Sequence, residues 1–193
     1  AVAPNGDVYF LATVQQVDDD GLLVGDRVAA LWRAPKDGGQ IELVYRQFTP
    51  GSPSRDSVPG TMLADGSEVM GFGSEPFGFD ADGRLIIELR TRQPSESAVF
   101  GLYAEDSSGN LQRIVYIGQE IELGPNDTRT VSNFDFNSAG LVSGEAASFR
   151  NDRIAFTVEF EGGSEAILRA SYSALDPEAV SYTHLRAHET EAS

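Results

Sequence analysis

His184 and His188 stand four residues apart in VSYTHLRAHET (180–190) and are the only two histidines among 193 residues. On a helix that spacing puts both imidazoles on one face, as in a zinc-binding pair. A hydrolytic zinc motif also needs Glu directly after its first His, and Leu185 stands there instead. The other candidates are carboxylates. Asp18-Asp19-Asp20-Gly21 and Asp80-Ala81-Asp82-Gly83 each gather acidic oxygens within four residues. Asp18, Asp20, Asp80 and Asp82 could therefore serve Ca2+, a hard cation that takes about six to eight oxygen ligands. Neither stretch continues into a Glu-terminated EF-hand loop, and Asp-Gly is equally an ordinary hairpin signal. A structural turn and a Ca2+ site stand as rival readings of both. Trp32 and Tyr103 open a third kind of chemistry, since an exposed aromatic ring can stack on a sugar, whereas a buried one packs a core.

Composition removes more than it supplies. There is no cysteine, so disulfides, thiol nucleophiles and thiolate metal sites are excluded. Without His184 and His188 the chain has no imidazole base for an acyl-transfer triad. Gly71-Phe72-Gly73 precedes neither Lys-Ser/Thr nor a helical pattern, so no phosphate loop is present. Lys and Arg number 14 against 30 Asp and Glu, a net charge of −16, which repels nucleic-acid phosphates and anionic lipid. No apolar run reaches the roughly 18 residues of a membrane helix. Carboxylate chemistry survives, and a glycan hydrolase or lyase is the enzymatic alternative, but its two carboxyls must lie about 5–9.5 Å apart, which spacing in sequence does not show.

The elements that must position these groups read as β-structure. Leu85-Ile86-Ile87-Glu88-Leu89 and Ile154-Ala155-Phe156-Thr157-Val158 are short β-branched and aromatic runs bounded by Asp, Asn and Gly. PKDGGQ, DSSGN and EGGSE supply hairpin turns. No 3.6-residue apolar spacing persists over three turns outside residues 180–193, so little helix is expected.

Compared with itself, the chain shows a period. NGDVYFLATV (5–14), DGRLIIELRT (82–91) and NDRIAFTVEF (151–160) each join a polar turn to an apolar run, with starts 77 and 69 residues apart. Second elements follow at 28–48, 99–119 and 163–171. Leu31-Trp32 matches Leu102-Tyr103, Gly39-Gln40-Ile41 matches Gly109-Asn110-Leu111, and Val44-Tyr45 matches Val115-Tyr116. About ten strands in units near 5–76, 77–136 and 137–179 predict an all-β chain of tandem four-stranded antiparallel repeats, an open arc of a β-propeller. A β-sandwich is the alternative, favoured if the first and last strands pair. Residues 48–67 and 137–150, rich in Gly, Ser and Pro or Ala, read as loops. The chain opens AVAPNGDVYF, with neither an initiator Met nor a basic stretch leading an apolar core. Because Asn5 already lies within the repeating pattern, this start is expected to be the edge of a longer chain whose further repeats are its partners.

FDADGRLIIELRT, GLYAEDSSGNLQRIVYIGQ and NDRIAFTVEFEGGSEAILRA resemble the bacterial choice-of-anchor tandem-repeat surface proteins, named for an N-x-x-G-x-x-x-A-F motif and for varied sorting signals such as PEP-CTERM. The resemblance spans residues 5–170. Asp80 replaces the motif's Asn before Gly83, and Ile86-Ile87 replace Ala-Phe. Ala155-Phe156 is kept while Asp152 replaces the Gly, and VYRQFTPG (44–51) lacks the family's Gly-Asp. The resemblance implies export, an extracellular or cell-surface location, and a structural or binding role toward a glycan or surface protein. It implies no known enzymatic activity, and the residues themselves offer no cofactor beyond Ca2+ at the acidic turns.

VSYTHLRAHET itself resembles the translation of a transposase mosaic end followed by a sequencing-library primer, a match of eleven residues against four for the histidine spacing. Residues 180–193 are on that reading non-native, expected to be detached or at most a local helix. They hold one Arg and two Glu, so the remainder carries −15 and no histidine.

Overall fold

The computed structural model describes residues 1–17, 23–49, 60–80, 82–136, 153–171 and 181–188. All regular structure among them is strand. The first sheet holds β1 (Val8–Val17), β2 (Leu23–Ala34) and β3 (Glu42–Arg46), in that order. The second holds β4 (Glu68–Phe79), β5 (Leu85–Arg92), β6 (Val99–Glu105) and β7 (Leu111–Tyr116). The third holds β8 (Glu120–Gly124), β9 (Asp127–Asp135), β10 (Arg153–Phe160), β11 (Glu165–Ser171) and β12 (Ser181–His188). Every pairing is antiparallel between neighbours in sequence, so each sheet is a meander. The all-β expectation holds.

Hairpin turns are set by glycines in the left-handed region. Gly83, Gly109 and Gly163 have φ near +80°, and each donates its N–H to the carbonyl three residues back, closing the turns that launch β5, β7 and β11.

The core lies on both faces of the second sheet. Strand side chains alternate between faces, and β5 is apolar on each. Ile86 joins Leu102, Ala104, Ile114 and Val115 against Phe156, Val158, Phe160 and Leu168 of the third sheet. Leu85, Ile87 and Leu89 join Tyr103 and Leu111 against Leu31 of the first, with Tyr9 and Tyr45 packed at its margin. The second sheet is thus a middle layer. Its continuous apolar run in LIIEL is what burial on two faces demands.

Strand register in the first two sheets runs parallel to two of the internal matches. Phe10 pairs with Trp32 and Ile87 with Tyr103, at offsets of 77 and 71 residues. The β2–β3 ladder slips one residue between Leu31/Tyr45 and Trp32/Leu43, and the β6–β7 ladder slips between Leu102/Val115 and Tyr103/Arg113. The residues passed over are Val44 and Ile114, so one bulge recurs at one place. It also corrects a match: Tyr45 corresponds to Val115 rather than to Tyr116, because the PKDGGQ hairpin is one residue longer than DSSGN.

Other boundaries differ from expectation. β4 crosses the expected break at residue 76/77, because a strand carrying Gly71, Gly73 and two register shifts has a broken alternation. Residues 120–135, assigned to the second unit, form β8 and β9 of the third sheet. The first and last strands do not pair, so the condition set for an independent sandwich is not met. The loop expected at 137–150 and most of that at 48–67 lie outside the described residues.

Where β3 hands over to β4, the backbone is crowded. A Cβ on Gly60 would stand 2.2 Å from the Val69 carbonyl oxygen, which accepts the Phe48 N–H at 2.7 Å. Gly60→Ala is expected to lower the unfolding free energy by about 1–3 kcal/mol, as forced overpacking does, read by urea denaturation.

Candidate functional site

The acidic turns are built as caps. Asp80 sits buried where β4 turns into β5; its Oδ1 accepts the N–H groups of Asp82 (3.0 Å) and Arg84 (2.8 Å), and its Oδ2 accepts Arg84 Nε at 2.8 Å. Asp82 is exposed and accepts Arg84 Nη2 at 3.0 Å. The turn therefore brings Asp80 and Asp82 together on a guanidinium. Asp106 repeats the device before β7, accepting Ser108 N, Asn110 N and Gln112 Nε2 at 2.8–3.0 Å. Burial pushes its carboxyl up, but the donors Gln112, Asn110 and Ser108 together hold it below the ordinary value. Asp7 before β1 does likewise with Lys36 N, Arg33 Nε and Asn5 Nδ2. The Lys36 amide is the main cause of its lowered pKa, with Arg33 and Asn5 adding to it against burial. Among the described residues no three His, Asp or Glu are grouped to hold a metal. Asp18 and Asp20 lie outside the described residues.

Trp32 and Tyr103 occupy matched positions but different surroundings. Tyr103 is fully buried, with its hydroxyl 2.6 Å from Thr91 Oγ1, so its ring is closed to a sugar. This corrects its reading as a stacking residue, and the reason is the first sheet lying over it. Trp32 is only half-buried, on the face of the first sheet turned away from the second.

An open cleft of about 480 Å3 lies beside the β5 and β7 turns, lined by Asp82, Arg84, Glu105, Asp106, Ser107 and Gly109. Glu105 is the group in it that sequence reading missed. Its Oε2 accepts Leu85 N at 3.0 Å. Burial pushes its carboxyl above the ordinary glutamate value, the Leu85 N–H pulls it back, and the charges of Asp106 and Asp80 push it up again. The available signal was an acid closing an apolar strand, VFGLYAE, directly before a second acid. A raised carboxyl in a cleft is the equipment of a general acid. Its neighbours are engaged, Asp106 by its own turn and Asp82 by Arg84.

A raised pKa predicts a sign. The folded state disfavours the Glu105 charge, so the penalty grows as pH rises through 4.5 toward the folded value and is absent below 4.5, where both states are protonated. Glu105→Gln should raise the melting midpoint at pH 7, and the gain should fade below about pH 4. Thermal melts across that range check it.

The histidines lie on β12, not on a helix or a detached tail. β12 pairs with β11, with His184 opposite Leu168 and His188 opposite Glu165. The expectation fails for a backbone reason: β11 would otherwise present a row of open N–H and C=O groups, and an extended segment satisfies them whatever its origin. Four residues along a strand cover on the order of 13 Å, so the helical zinc geometry is absent.

The model of a family of unknown function, DUF7453, matches residues 1–181. The chain belongs to that family. Twelve residues, 182–193, fall beyond the match. No curated protein and no solved structure matches the chain. Among the described residues no helix is long and apolar enough to cross a membrane.

Proposed function

We propose that this chain is part of an exported bacterial surface protein, an arc of propeller-like repeats whose role is structural or ligand-binding, toward a glycan or another surface protein, and not catalytic. The observation that carries the repeat reading is the shared bulge at Leu31/Trp32 and Leu102/Tyr103 with its matched offsets. Meander sheets stacked through their faces are the construction of propeller blades, and the resemblance to choice-of-anchor proteins supports export. The Asp caps spend their oxygens on backbone amides and guanidinium groups, which supports a role without Ca2+ at Asp80 and Asp82. Residues 180–193 are proposed to be non-native.

A glycan-cleaving activity is the second reading, favoured by Glu105 in its cleft. Both are tested on one panel of immobilised and soluble glycans, scored for retention of the chain and for new reducing ends or unsaturated products. Saturable retention without product is expected. Product formation abolished by Glu105→Gln would replace the binding reading with the enzymatic one. Protease accessibility of the protein on intact source cells tests the surface location, and protection from protease would refute it.

A further inference from the structure

The turn that launches β1 is built like the turn that joins β4 to β5. Ala3 N–H donates to the Asp7 carbonyl at 2.9 Å and Gly6 N–H to the Ala3 carbonyl at 2.8 Å; Asp80 N–H donates to the Arg84 carbonyl at 3.0 Å and Gly83 N–H to the Asp80 carbonyl at 3.1 Å. Gly6 and Gly83 both stand at positive φ, and Ala3, Gly6 and Asp7 precede Asp80, Gly83 and Arg84 by the same 77 residues. Before the second turn runs a full strand, β4. Before the first stand only Ala1 and Val2, and these already pair as β4 does. The Ala1 amino group donates to the Tyr9 carbonyl at 2.8 Å, the Ala1 carbonyl accepts Tyr9 N–H at 2.9 Å, and Val2 bridges Val8. Their counterparts are Gly78 opposite Ile86 and Phe79 opposite Leu85. The first sheet thus holds three strands and the last two residues of a fourth.

We infer that the open edge of β1 is the seat of a fourth strand, antiparallel to β1 and in line with Ala1 and Val2, supplied by the residues directly N-terminal to Ala1 in the natural chain. Backbone groups along a strand point alternately to either side. Tyr9 turns its N–H and C=O away from β2 toward Ala1, so Leu11 and Thr13 turn theirs the same way, and among the described residues β1 pairs along this stretch with β2 alone. In the second sheet the counterparts of Tyr9 and Thr13, Ile86 and Arg90, are paired with Gly78 and Gly71 of β4. Such an edge is a template for one more strand. Continuity selects which strand: a segment joined to Ala1 is already pinned in register at its entry, whereas a free peptide or a second copy must be ordered from nothing. The residue directly before Ala1 falls opposite Phe10, where Phe77 stands opposite Ile87, so an apolar side chain belongs there beside Trp32. The inference rests on the repeat reading proposed above and is independent of where the protein resides.

The test adds the strand. A copy of residues 68–77, the part of β4 that corresponds to the stretch before Ala1, is placed directly ahead of Ala1, and hydrogen exchange at the Leu11 and Thr13 amides is compared with that in the 193-residue chain. Exchange at both amides is expected to slow at least about tenfold in the extended chain, with a raised melting midpoint. Thr13→Pro removes one outward N–H at an edge, where proline is tolerated; it should leave the far-ultraviolet circular dichroism of the 193-residue chain unchanged and cancel the gain from the extension. Unchanged exchange on extension overturns the inference. So does protection of both amides in the 193-residue chain itself, whether constant or growing with concentration as two copies pair edge to edge. Failure of the repeat reading is distinguishable, because the ladders of the first two sheets would then not superpose; failure of this inference alone leaves them superposing with Leu11 and Thr13 unprotected.

Discussion

Ile86→Ala and Ile87→Ala each lower the unfolding free energy by about 2–5 kcal/mol, the range for truncating a fully buried Ile in a packed core. Both side chains are 0% exposed, adjacent in sequence, and directed into different clusters, Ile86 toward the third sheet and Ile87 toward the first. Their cavities therefore have separate walls. The double variant should lose roughly the sum of the two, because the two clusters have separate walls and only the strand backbone couples them. Urea denaturation of the three variants checks this. A double variant much more stable than the sum would mean that the two side chains share one core and that β5 is not a middle layer.

Asp80→Ala should be comparably damaging, at about 3–5 kcal/mol, the usual result of removing one partner from a buried ion pair. Arg84 lies largely buried against it, and the N–H groups of Asp82 and Arg84 lose their acceptor. Asp80→Asn keeps an oxygen for those amides and should lose distinctly less. Equal loss in both variants would place the value of Asp80 in its charge alone. Adding or chelating Ca2+ should leave the melting midpoint of the native chain where it is; a shift abolished by Asp80→Asn would restore the cation site.

Burial on two faces leaves a strong mark in sequence: Leu85, Ile86 and Ile87 are apolar at successive positions, and the 77-residue offset between NGDVYFLATV and DGRLIIELRT is the offset between Phe10 and Ile87 in the paired strands. Asp-Gly turns were legible for the same local reason, as a glycine at positive φ is chosen by a few neighbouring atoms. β4 was not, since Gly71 and Gly73 break the alternation that marks a strand, and its place in the second sheet is decided by pairing with β5. β12 could not be read from its side chains, because what recruits it is the open backbone of β11. Trp32 and Tyr103 look alike in sequence and differ only in what lies over them. Glu105 belongs with them: its raised pKa comes from burial and from the charges of Asp106, its neighbour in sequence, and Asp80, brought near from the turn between β4 and β5.

The central claim is that the β1–β3 and β5–β7 sheets are one unit used twice. A crystal structure of the chain tests it most directly, through superposition of Phe10, Leu31, Trp32 and Tyr45 on Ile87, Leu102, Tyr103 and Val115. The predicted result is that the backbones coincide through the bulges, with Val44 lying on Ile114. Ladders that slip at different positions, or strands that superpose only with Tyr45 on Tyr116, would contradict it.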